Sequence, residues 1–196
     1  MPAGLALHPW RRFLRFSVRG LIVFVLVIGA GLGWIVREAQ IQRDAVVAIK
    51  NAGGSVGYDW EYGAKGYVVG ANHPWAPRWL VDLIGVDYFG HATYVGFPLH
   101  RRAAATDATL AEVGRLTRLQ RLDVFSSSVT DAGLAHLKGL TKLSVLLLAD
   151  TQVTDAGLAH MKGLTKLNYL DLAGTQVTDA GVRELSQALP GLKIIR

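Results

Sequence analysis

No cysteine occurs in this chain of 196 residues. That excludes disulfides and cysteine-based zinc sites, and it leaves the compartment open. Also missing are a G-x-x-x-x-G-K-[ST] phosphate loop, an H-E-x-x-H helix, a G-x-S-x-G nucleophile turn and a G-x-G-x-x-G fingerprint between strand and helix. Gly29-Ala-Gly-Leu-Gly33 lies inside an apolar run, where it serves packing at most. The chain is therefore read as a non-enzyme with no cofactor. Acidic charge is scarce too, with 15 Asp and Glu against 21 Lys and Arg, a net charge of +6. The excess is local. From Thr106 onward ten basic residues face nine acidic ones, whereas Arg11, Arg12, Arg15 and Arg19 crowd beside the apolar run. A basic membrane flank accounts for that cluster, and no nucleic-acid partner is expected.

Gly20 to Val36 is seventeen residues without a charge. At 1.5 Å per residue it spans roughly 25 Å, the short end of what a bilayer core requires. Phe13, Leu14, Phe16 and Val18 lengthen the apolar face, with Arg15 and Arg19 able to snorkel, and Trp34 stands where an interfacial aromatic belongs. The four arginines ahead of the run favour the amino terminus inside and the remainder outside, on the periplasmic side. Gly29-Ala30-Gly31 offers a rival reading as the cleavage site of a signal peptide. Continuation of the run through Trp34, Ile35 and Val36 favours a retained single-pass anchor in the cytoplasmic membrane.

Past the anchor, Ala39, Ala45, Val46 and Ile49 recur at helical spacing and Gly53-Gly54 closes the pattern. Val56, Tyr58, Trp60 and Tyr62 alternate as a strand would. Gly63 to Pro77 reads as loop, Pro77 opens a short helix over 78–84 ended by Gly85, and Val86 to Phe97 holds an atypical strand around Val95 and Phe97.

The carboxy-terminal half repeats. Thr130–Val153 (TDAGLAHLKGLTKLSVLLLADTQV) returns as Thr154–Val177 with only five of 24 positions changed. The frame extends back to Thr106–Val129 and forward to Thr178–Arg196, with one extra residue near Leu189. Its skeleton is L-x-x-L-x-L-x-x-T-x-V-T-D-A-G-L. The array resembles the leucine-rich repeat family in the short bacterial-type variant, where Thr or Ser replaces the usual turn Asn. Basic anchor, short helix, aromatic strand and T-D-A-G-L repeats together resemble membrane-anchored leucine-rich repeat proteins of some bacteria. The resemblance implies an α/β fold: a short solenoid of 24-residue repeats, parallel sheet with outer helices, preceded by a transmembrane helix and an α+β cap. The expected divisions are a basic tail (1–19), the transmembrane helix (20–36), a juxtamembrane helix (37–54), a cap segment (55–105) and the repeats (106–196).

Leu143, Leu146 and Leu148, with period-two spacing at the end, predict a strand with one buried face. Thr154 is expected to cap a short helix carrying Ala156, Leu158 and Met161 inward, with Asp155 at its positive end. Gly163 is expected to release the chain to the next strand. Such a unit cannot bury its apolar face alone, so neighbours must stack. Three of the five changes, Ser144/Asn168, Val145/Tyr169 and Leu147/Asp171, fall on the strand, the last two alternating with buried leucines. The others are Asp150/Gly174 in the turn and the core swap Leu137/Met161. Arg121, Asp123, Phe125, Val145, Leu147, Asn168, Tyr169 and Asp171 are accordingly the candidate partner-binding residues of a concave face, joined by Gln120, Lys193 and Ile194. Its apolar content suits an interaction surface, and unconstrained drift explains the variation equally.

Three ladders follow from repeat copying. Glu112, His136, His160 and Glu184 are chemically competent metal ligands, but copying alone explains them and no metal is expected. Asp107, Asp131, Asp155 and Asp179 read as helix-start residues, and Arg118, Lys142 and Lys166 as a solvated stripe. The expected function is a membrane-anchored protein-binding module outside the cytoplasm. The alternatives are a self-associating scaffold or envelope component, or a substrate-recognition adaptor of the kind some T-D-x-G-L-like repeats serve in ubiquitin ligases. No F-box segment is present for the last.

Overall fold

The computed structural model describes residues 18–61, 76–97 and 105–196. The tail arginines Arg11, Arg12 and Arg15, Tyr62 and most of the 63–77 loop lie outside the described residues. The chain forms two compact units, Met1–Arg37 and Glu38–Arg196.

In the first unit, helix α1 (Val18–Asn51) carries side chains that are all exposed from Leu21 to Arg37. Leu21–Asn51 has a mean hydropathy of 2.0 in its most apolar window. By length and composition it meets the requirement for a membrane span, and equally for a signal sequence.

In the second unit the last turns of α1 change character. Ala39, Ala45, Val46 and Ile49 are buried, as their spacing predicts. Gln42 lies among them with both ends of its amide engaged. Its Nε2 donates to Asp87 at 3.0 Å and to the Gly90 carbonyl at 2.9 Å, while its Oε1 accepts from Ala92 N at 3.2 Å. Gly53, at φ 84°, ends the helix. Strand β1 (Ser55–Tyr58) is shorter than the alternation to Tyr62 predicts. Glu61 folds back to accept from Tyr58 N at 3.1 Å, and the Trp60 ring stacks on Tyr58 at 4.7 Å instead of continuing the strand. Helix α2 (Arg78–Ile84) starts after Pro77 and stops at Gly85, φ 98°.

Among the described residues, strands β2 (Ala92–Gly96), β3 (Arg121–Asp123), β4 (Val145–Leu147), β5 (Tyr169–Asp171) and β6 (Lys193–Ile195) follow β1 in one six-stranded sheet in sequence order. The β1–β2 pair is antiparallel and all later pairs are parallel. Leu122, Leu146, Leu170 and Ile194 are register partners on the core side. Ile194 therefore does not belong to the open face. The extra residue near Leu189 is absorbed before β6, so the strand keeps its 24-residue register and presents Ile195 beside Asp171.

Helices α3 (Asp107–Val113), α4 (Asp131–Ala135), α5 (Asp155–Leu158) and α6 (Asp179–Ala188) each begin after a capping threonine, Thr106, Thr130, Thr154 or Thr178. Of the expected inward set, Leu158 and Met161 are buried but Ala156 is exposed, and Gly157 takes the inner position. The reason is the aspartate of the preceding repeat. Asp131 accepts from Thr154 N at 2.9 Å and from the Thr154 hydroxyl at 2.6 Å. A Cβ on Gly157 would collide with that carboxylate. The same bonds join Asp107 to Thr130 and Asp155 to Thr178. Each threonine hydroxyl thus donates to one repeat and accepts from an amide at the start of its own helix. The Asp ladder couples repeats as well as opening helices. Hydroxyl and then amide of Thr178 hold the Asp155 carboxyl below the usual carboxylate range.

Turn positions recur with equal regularity. Ser126, Asp150 and Gly174 share left-handed backbone, at φ 52°, 56° and 71°, which makes the Asp/Gly exchange intelligible. Ser127, Thr151 and Thr175 each donate back to the carbonyl three residues earlier at 2.6 Å. A hydroxyl here satisfies a strand-end carbonyl, the local task of the turn position. Gly163, by contrast, has neither a positive φ nor any atom near a Cβ position. Its expected role as a special release point is not supported.

Candidate functional site

Alternation about the buried Leu122, Leu146 and Leu170 sends their strand neighbours to the opposite, open side of the sheet. Two rows result. Arg121, Val145, Tyr169 and Lys193 are successive register partners, and so are Asp123, Leu147, Asp171 and Ile195. Adjacent strands stand about 4.8 Å apart, so side chains within a row are neighbours. The middle strand contributes only Val145 and Leu147, both half-buried. Charged or amphipathic groups flank this apolar strip on both sides.

On one flank, Arg121 and Asp123 form an ion pair within their own strand. The Arg121 Nε lies 3.0 Å from one Asp123 carboxylate oxygen, and its Nη2 donates to the other at 3.0 Å. Asp123 is buried although polar. Burial pushes its carboxyl above the usual carboxylate range, against the opposing pull of Arg121 and of the Tyr94 hydroxyl. The pair is thus largely committed to itself. On the other flank the Lys193 ammonium lies 5.7 Å from the centroid of the Tyr169 ring, a cation–π distance. Asp171 accepts from Ala173 N at 3.0 Å, which fixes its orientation.

Phe125 has the outward parity of Asp123 and is half-buried just beyond β3, level with Ala149 and Ala173 in the later repeats. Asn168 is exposed immediately before β5. The sheet brings Arg121, Asp123, Val145, Leu147, Tyr169 and Asp171 into two adjoining rows; Phe125 and Asn168 flank the strands at opposite ends.

The histidine–glutamate ladder runs elsewhere, along the helical layer. Glu112 pairs with Arg115 at 2.8 Å, and Glu184 accepts from Lys162 at 2.7 Å. Among the described residues no group of three metal-ligating side chains assembles. Reading residues alone missed Gln42 and the inter-repeat use of the aspartates. The first is one polar residue within a helix. The second was written in the sequence as the companionship of T-D and G two residues on in the three later copies, with Thr109 in the first, which acquires meaning only once repeats are stacked.

Solved structures are similar to part of this chain. A 44% portion of the chain is similar to an internalin from Listeria monocytogenes, at 19% identity, TM-score 0.33 and 30% of that chain. An equal portion is similar to a leucine-rich repeat protein from Leptospira interrogans, at 20% identity, TM-score 0.34 and 27% of that chain. Internalin C2 from Listeria monocytogenes aligns over 46% of this chain and 44% of its own, at 26% identity and TM-score 0.35. This chain therefore spans less than half the length of each. No curated protein matches it. The family model described as Leucine Rich repeat matches residues 163–186, one repeat length of the array.

Proposed function

We propose that the repeat array is a protein-binding module, tethered to the cytoplasmic membrane by α1 and displayed on its outer, periplasmic side. The observation that carries the binding reading is where two nearly identical repeats differ. Val145/Tyr169 and Leu147/Asp171 change on the open face, while the buried leucines between them stay constant. An apolar strip bordered by Tyr169, Phe125 and charged groups has the composition of a contact centre with a polar rim.

The test is capture of a partner by full-length protein in its native membrane, using crosslinking and mass spectrometry. Replacing Phe125 and Tyr169 together by alanine is expected to weaken that binding at least about tenfold, or roughly 1.4 kcal/mol, with the fold retained. Replacing His136 and His160 by glutamine should leave it unchanged. Binding lost in the histidine variant and kept in the aromatic one would overturn the reading.

Tethering rests on the exposed, uncharged Leu21–Val36 stretch behind a basic flank. A reporter fused after Arg196 is expected to work only if its activity requires the outside of the cytoplasmic membrane. A mature chain beginning near Leu32 would show cleavage and remove the anchor.

A further inference from the structure

At the edge of the sheet where the parallel strands begin, the second unit has an open cleft of about 540 Å³. Asp59, His91, Thr93, Thr117, Arg118, Gln120 and Lys142 line it. The volume is that of a small-molecule site. Two rungs of the basic stripe, Arg118 and Lys142, meet here, and among the described residues neither forms an ion pair. Lys166, the third rung, does not line the cleft.

Thr93 supplies a separate observation. It is 6% exposed, and its hydroxyl has no hydrogen-bond partner among the described residues. A buried hydroxyl left unpaired costs about 1–3 kcal/mol, so such a group calls for an explanation. Its backbone is anchored, since the Thr93 carbonyl accepts from Gln120 N at 2.8 Å. Thr93 therefore has a fixed backbone position on the cleft wall, with its hydroxyl buried and unpaired beside it.

We infer that this cleft binds a small polyhydroxylated molecule bearing one oxyanion, with Arg118 and Lys142 on the anion and the Thr93 hydroxyl as a polar contact. Arginine offers a planar fork to a carboxylate or phosphate, and lysine adds a mobile point charge. Asp59 and Gln120 supply acceptors for ligand hydroxyls, which a purely anionic ligand would not require. The His91 imidazole is held below its usual range, first by burial and then by the charge of Arg118, despite Asp59. The shift favours the neutral ring, which offers one donor and one acceptor without adding charge.

The site is tested by calorimetric titration of the full chain in a non-ionic, sugar-free detergent. The probes are glucuronate, glucose 6-phosphate, inorganic phosphate and glucose. Glucuronate or glucose 6-phosphate is expected to bind more tightly than inorganic phosphate, and neutral glucose more weakly than all three; which sugar anion is preferred distinguishes carboxylate from phosphate. Arg118→Ala should weaken sugar-anion binding at least about tenfold, whereas Lys166→Ala leaves it unchanged. Thr93→Val keeps shape and removes the unpaired hydroxyl, so affinity should fall while the melting temperature holds or rises. Undiminished binding in Arg118→Ala, an equal loss in Lys166→Ala, affinity unaltered by Thr93→Val, or glucose binding as well as the anions would each overturn the assignment.

Discussion

Replacing Leu146 by alanine is expected to destabilise the repeat array by about 2–5 kcal/mol, the usual cost of emptying a fully buried leucine site. Leu146 has no exposure and stands between its register partners Leu122 and Leu170. The void would thus open in the middle of the stack, where both neighbouring repeats lose contacts. In a solenoid stability is carried by such interfaces, so the damage is not confined to one repeat. Leu147 is adjacent in sequence, half-buried and on the opposite side of the sheet. Its replacement by alanine should cost about 1 kcal/mol or less. Denaturant unfolding of both variants decides the matter. Equal losses would mean that the two faces of β4 have been exchanged, and the proposed contact surface with them.

The contrast between these neighbours was legible from the residues alone, because period two and a faithful copy fix which side of a strand is buried. Leu143, Leu146 and Leu148 are all buried as expected. The helix over 78–84 and its Gly85 stop were equally readable, since Pro and Gly act through their own backbone restrictions. Legibility failed where position depends on a neighbour. Carrying the inserted residue through to the strand places Ile194 outward, whereas parallel pairing with Leu170 restores the register upstream. Hydrophobicity alone points Ala156 inward, while the inner position belongs to Gly157 beneath an aspartate 26 residues earlier. The wall of the cleft is a harder case. Arg118 and Lys142 were visible as a stripe, but His91 and Thr93 come from the cap, outside the repeat frame.

The T-D-A-G-L motif now has a physical account spanning two repeats. Threonine caps its own helix and donates to the previous aspartate; aspartate receives the next threonine; glycine leaves room for the carboxylate. A hydrogen bond to an ionised acceptor is stronger than a neutral one, and each junction has two. The ladder closes on Asp179, which pairs with Arg196. Apolar stacking supplies the drive to assemble, since it is large and non-directional. The Asp–Thr pairs set the spacing, because they are short-range and tolerate little displacement.

Gly157→Ala tests that account most sharply, because local propensity and packing predict opposite signs. Alanine is a better helix former than glycine by about 0.8–1.0 kcal/mol, so an isolated helix would be stabilised. In the stack, the new methyl group would strike the Asp131 carboxylate and lie 2.9 Å from Leu134 Cδ1. Moving the carboxylate breaks its bonds to the amide and hydroxyl of Thr154. The expected outcome is a net loss of about 2–4 kcal/mol, combining overpacking with the lost charged hydrogen bonds. Gly163→Ala is the control; no atom lies within 4 Å of its added methyl group, and it should be neutral or stabilising. Asp131→Ala alone should also destabilise, for want of the same two bonds. Made together, Gly157→Ala and Asp131→Ala should cost less than the sum of the single changes by about 1–3 kcal/mol, because the methyl group then occupies space the carboxylate has left. Additive losses in that cycle would show that glycine is required for its backbone, and the junction between repeats would need another explanation.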